Sequence, residues 1–232
     1  MVRPASSQSP VNPLPPVIVA LGGAIALVEA VLQLGRAGLI GGPQAVGWRV
    51  QLMQTLGFSD RVFDHMVAMR TPRLDGIWTF FTYPLVSAAP VPLLISLAIL
   101  LGVGNRVARS FSWWAILAAF FGSAAVAALF FGVVTSDGPV LAGAFPPAFG
   151  LIGLLTWLLW RDAVELGESR WPAFSMIAFL AVFQTAWLVV LGRQTGIFTE
   201  LVGFAAGFAM AFVLAPDSGA RMRRVLESIR ER

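Results

Sequence analysis

A chain of 232 residues that is 57% hydrophobic and only 12% charged cannot cover itself with a water-facing surface, so lipid must solvate much of it. It has no cysteine and one histidine, His65, which excludes disulfides, thiolate chemistry and any multi-histidine metal site. The net charge of +4 rests on 16 arginines and no lysine, dispersed among apolar stretches, a pattern that fits anionic lipid and not nucleic acid.

The chain opens with MVRPASSQSPVNPLPP, which lacks the short apolar core and small-residue cleavage site of a signal peptide. Residues 1–15 are expected to form a disordered tail. A membrane-crossing helix needs about 20 apolar residues, and six stretches qualify. The first, Pro16 to Leu34, carries one charge, Glu29, which a partner arginine, a proton or a neighbouring helix could accommodate. The second runs from Tyr83 to Val103, the third from Phe111 to Val134 and the fourth from Val140 to Trp160. The fifth is Trp171 to Leu191, and the sixth, Ile197 to Leu214, is stopped by Pro216. Together they predict an all-α, polytopic membrane domain over 16–215, with no separate soluble domain. No internal repeat of the kind found in many transporters is visible.

The first connection, 35–78, is long and not simply polar. AVGWRVQLMQTL sets Val46, Val50 and Met53 on one side at helical spacing. SDRVFDHMVAM offers Ser59 or Asp60 as a cap, followed by Val62, Phe63, Met66 and Val67. Both are too short to span and read as interfacial helices of a semi-embedded loop. Arginines in the short connections set the orientation. Arg106 and Arg109, Arg161 and Arg170, and the C-terminal arginines all fall on one side of a six-span chain, which predicts cytoplasmic termini in a bacterial inner membrane. Trp78, Trp113, Trp114, Trp160 and Trp171 lie near the predicted interfaces. The tail, 216–232, contains ARMRRVLESIRER. Its apolar face of Met222, Val225, Leu226 and Ile229 is flanked by Arg221, Arg223, Arg224 and Arg230, which predicts an amphipathic helix lying on anionic lipid or on a partner.

Four segments carry a family resemblance. WTFFTYPLVS, from Trp78, resembles the W-R-L-L-T-Y-P-F-L-H entry of the rhomboid family's second span. GVGNRVAR follows it, with Gly104 where that span closes before a basic loop. GAFPPAFGLIG, Gly143 to Gly153, resembles the family's G-A-S-G-A-x-F-G-L-L-G, and TELVGFAAGF, from Thr199, resembles A-H-L-G-G-F-x-A-G. The order, the six spans and the long first loop all match the outline of these intramembrane serine proteases.

The resemblance implies a six-helix bundle in which the fourth and sixth spans touch and bring nucleophile and base together. Carried across, the nucleophilic serine falls on Phe145 and the catalytic histidine on Glu200. The oxyanion-binding asparagine falls near Ser96, and a histidine one turn earlier falls near Pro92. Phenylalanine offers no nucleophile for a base to activate. Pro146 and Pro147 remove backbone N–H donors from the former oxyanion region. Gly143, Gly150, Gly153, Gly203 and Gly207 read as close-packing positions between the two helices. Glu200 is expected either to face water and pair with Arg193, or to hydrogen-bond inside the former catalytic cavity.

The resemblance therefore implies a pseudoprotease that binds transmembrane client or partner helices without cutting them, and that needs no cofactor or metal. Two alternatives stay open. An active protease would have to use another serine, among Ser87, Ser96, Ser112, Ser123 and Ser136. A structural subunit of a larger membrane complex would use the outer loop and the tail as contact surfaces.

Overall fold

The computed structural model describes residues 14–69, 74–136, 138–191 and 196–216. They are helical almost throughout. Helix α1 (Pro16–Arg36) crosses first, and α2 (Trp48–Leu56), α3 (Asp60–Met69), α4 (Leu74–Ile77) and α5 (Thr79–Thr82) follow in the first loop. Then come α6 (Pro90–Val107), α7 (Trp113–Val134), α8 (Phe145–Leu166), α9 (Ser175–Leu191) and α10 (Gly196–Leu214). The protein is an all-α polytopic membrane protein. The N-terminal tail to residue 13 and the tail arginines Arg221, Arg223, Arg224 and Arg230 lie outside the described residues, as does Arg193.

The six long helices match the six predicted spans, with the main boundary shifts in the second, fourth and fifth. The second begins at Pro90, not Tyr83, because Tyr83–Leu85 forms a 3-10 turn around Pro84 and Val86 to Ala89 is irregular. The first loop is therefore 37–89 and not 35–78. The fourth begins at Phe145, not Val140, because the chain before it is extended and pairs with the first loop; it then runs past Trp160 to Leu166. Gly167, at φ 69°, ends it in the left-handed conformation common at helix C-termini. The fifth begins at Ser175, after a 3-10 turn at Trp171–Phe174 that contains Pro172.

Helices α1, α6, α7 and α10 are each long and apolar enough to cross a membrane by themselves. Helix α8 is not among them, although it has 22 residues. Its composition is the reason: Pro146, Pro147, Gly150, Gly153, Arg161 and Asp162 dilute its apolar character. Every residue from Pro146 to Leu158 is buried, so protein and not lipid surrounds that stretch. Helices α6, α7 and α10 enclose it, and the largest core cluster forms around its Phe149, Leu151, Ile152, Leu154 and Trp157. Helix α6 runs antiparallel to α1, with Ile18 against Gly104 and Gly22 against Leu101.

The first loop is stitched to the bundle. Glu29 of α1 receives both terminal nitrogens of Arg49 on α2, at 2.6 and 3.0 Å, and Gln33 donates to it from one turn on. Arg49 also donates to the Ser87 carbonyl at 2.6 Å. This settles the charge in the first span: it is paired, as buried charges must be. A second seam joins 56–63 to the segment before α8. Phe58 and Leu141 exchange backbone hydrogen bonds, the Asp60 carboxylate accepts from Gly138 N–H at 2.7 Å, and Phe58 packs its ring on Phe80, Phe63 and Phe131.

Candidate functional site

The site is built where α8 and α10 begin, at the same end of the bundle as the first loop. Three backbone ties hold the chain that enters α8: Gly138 to Asp60, Leu141 to Phe58, and Gly143 N–H to the Tyr83 carbonyl at 3.1 Å. Gly143 has φ 115°, a conformation that a side chain would strain, so a glycine is required at this bend. Tyr83 is fully buried and donates its hydroxyl to the Ala124 carbonyl of α7 at 3.1 Å. Burial pushes that hydroxyl's pKa well above the ordinary value, so it remains a neutral donor.

Phe145 is the first residue of α8 and is half-buried. Pro146 and Pro147 follow, fully within the first turn, where a missing N–H removes no helical hydrogen bond. The first intrahelical bond is Ala148 N–H to Ala144. On α10, Thr199 and Glu200 sit in the first turn. Glu200 is 9% exposed, so it does not face water.

Helices α8 and α10 touch backbone to backbone. A methyl group on Gly203 would strike the Pro146 carbonyl, and one on Gly207 would strike the Gly150 carbonyl. From the other side, one on Gly153 would strike the Phe204 carbonyl and the Phe208 amide. The register advances by four residues on both helices, from 146 beside 203 to 150 beside 207, so the two run parallel. Phe145 and Glu200 therefore stand at the same end of adjacent helices. Ser123 of α7 occupies the notch opposite Gly150 and makes the contact three-sided.

The hydroxyls near this end are already committed to backbone. Ser96 donates to Leu93 at 2.9 Å, Ser123 to Phe120 at 3.1 Å and Ser87 to Ala89 at 2.9 Å. Ser112 and Ser136 are exposed beside the ends of α7. His65 is exposed on α3. Among the described residues no group of His, Asp and Glu is arranged to hold a metal.

Some of what organises the site has no local signature. Arg49 and Glu29 are 20 residues apart across a turn, and Asp60 and Gly138 are 78 apart. A pattern that was available is the row Phe204, Phe208 and Phe212, four apart on α10. The row packs on itself, and Phe208 and Phe212 meet Trp157 and Trp160 of α8, and Phe174, at centroid distances of 5.8 to 6.3 Å.

Comparison with curated proteins returns no match. Comparison with family models returns one, the Rhomboid domain, over residues 74–217. That stretch runs from α4 through α10 and contains both helices of the site, whereas Glu29, Arg49, Phe58 and Asp60, which tie the first loop to it, precede it. With well over half of its length matched, the chain belongs to the rhomboid family.

Proposed function

We propose that this protein is a rhomboid-fold pseudoprotease, which binds transmembrane segments of client or partner proteins and leaves them intact. The observation that carries this reading is the pair Phe145 and Glu200, which stand at the shared end of α8 and α10 where the family resemblance puts nucleophile and base. A phenyl ring cannot attack a carbonyl, so position 145 offers nothing for a base at position 200 to activate. The backbone hydrogen bonds of Ser87, Ser96 and Ser123 favour the same reading. On this reading the protein sits in a bacterial inner membrane with both termini cytoplasmic, and the first loop faces outward.

The test is reconstitution of the full chain with a panel of tagged single-span proteins. Co-purification without new fragments is expected, as is no labelling by a fluorophosphonate probe. A fragment whose appearance depends on this chain and disappears in Ser87→Ala, Ser96→Ala, Ser112→Ala, Ser123→Ala or Ser136→Ala would establish an active protease in its place.

A further inference from the structure

We propose that the groove between α1 and α7 is a binding site for one acyl chain of an anionic phospholipid, drawn from the leaflet in which both helices begin. The two helices start at the same end, because α6 runs antiparallel to α1 and α7 follows it after a short turn. Between them lies a cavity of about 610 Å³. Its walls are matched in level: Pro16 stands with Trp113 at the mouth, and Ala24 with Phe121 at depth. Small side chains on one helix, Ala20 and Ala24, face large ones on the other. Leu85, from the 3-10 turn before α6, completes the lining.

The dimensions select the occupant. Both walls run over nine residues, or about 12 Å at helical rise, against a single-leaflet hydrocarbon depth of roughly 15 Å. The groove thus extends over about one leaflet and not across both. Its volume lies within the usual ~300–1,000 Å³ of small-ligand sites. A transmembrane helix about 10 Å across would need on the order of 900 Å³ over the same depth, so a flexible chain fits better than a protein helix. The lining is apolar, which leaves the head group to decide which lipid is held.

Two arginines lie at the end of the bundle where the groove opens. Arg106 closes α6, and Arg109 lies in the turn to α7, four residues before Trp113. Both are exposed, and neither joins an ion pair among the described residues. A phosphate at that level meets basic side chains and an indole that is 66% exposed, the arrangement that anchors head groups. Chain and charge select together: the groove holds one tail, and the arginines prefer an anionic head.

The unmodified full chain is placed in vesicles of phosphatidylcholine with a minority of phosphatidylglycerol carrying a photoactivatable diazirine on one acyl chain. After illumination, cross-links are mapped by peptide mass spectrometry. Labels are expected to concentrate on 17–24 and 117–121, and to fall several-fold when the diazirine is on phosphatidylcholine. In Arg106→Gln/Arg109→Gln that preference should disappear while groove labelling persists. In Ala20→Phe/Ala24→Phe the groove labelling should disappear, with helical content and elution unchanged. Labels spread evenly over other lipid-facing residues, such as Val91, Val133 and Val213, would overturn the proposal. So would a co-purified protein helix that protects 17–24 from label.

Discussion

Two seams hold this protein together, and they use opposite physics. The seam between α8 and α10 is dry and almost without side chains: glycines let two backbones touch, and the attraction is van der Waals contact plus the rings that flank it. The seam between the first loop and the bundle adds directed polar ties, Arg49 on Glu29 and Ser87, Asp60 on Gly138 and a backbone bridge, around the buried rings of Phe58 and Tyr83. The difference follows what each element presents. Two glycine-bearing helix faces need no side chain between them, so close packing suffices. A loop leaves backbone groups and charges to satisfy, and directed bonds fix it. A glycine seam tolerates no addition, whereas a polar seam tolerates no subtraction.

The largest effect is expected from filling the glycine seam. Gly207→Val meets the Gly150 backbone, which has no rotamer to move, and overpacking of that kind costs ~3 kcal/mol or more. Thermal unfolding in detergent should register it as the strongest single-site loss. Gly150→Ala sharpens the point. Its new methyl collides with the Ser123 side chain, so Ser123→Gly should restore most of the lost stability, whereas no side-chain change opposite Gly207 should do so. Failure of that rescue would mean that the helix backbones and not the notch set the limit.

Next come the polar ties. Arg49→Ala leaves Glu29 buried without its guanidinium, a loss of about 3–5 kcal/mol. Limited proteolysis between α2 and α3 should accelerate. The paired change Glu29→Gln with Arg49→Met should cost much less than Arg49→Ala, since no charge is stranded. Asp60→Ala removes acceptors from the Gly138 and Arg61 amides and should cost roughly 1.5–3 kcal/mol, read as faster hydrogen exchange at Gly138. The smallest effect belongs to Trp171→Ala. This side chain is 84% exposed and should shift detergent stability by less than ~0.5 kcal/mol. Its effect should instead appear in vesicles, as altered anchoring depth.

The same contrast explains what could be read in advance. Long apolar runs mark the six helices, and glycines spaced by three and four mark the faces where α8 and α10 meet, because both signals are local. Val140 to Ala144 misleads by the same rule: it is apolar enough to continue a helix, yet Gly143 bends it and Phe58 pairs with it from far away in the chain. Tyr83 to Ala89 misleads likewise. It reads as the start of a span, but Pro84 turns it and Arg49 caps the carbonyl of Ser87. Of the candidate site, the identities at 145 and 200 are legible from the family pattern alone. Which side of α10 Glu200 occupies depends on helix packing, and is not.

The enclosure of α8 carries a consequence for biogenesis. A nascent chain meets the membrane in sequence order, and α8 reaches it before α10 has been made. With its prolines, glycines, Arg161 and Asp162, α8 is the long helix least able to stay in lipid unaided, and one wall of its eventual cage is still missing. The segment must be held by α7, or by insertion machinery, until α10 closes over it. Chains stopped after residue 191 should therefore show cysteines placed on α8 reacting with water-soluble thiol reagents, and extension through residue 216 should protect them. The fold's most buried helix is thus also its last to be secured.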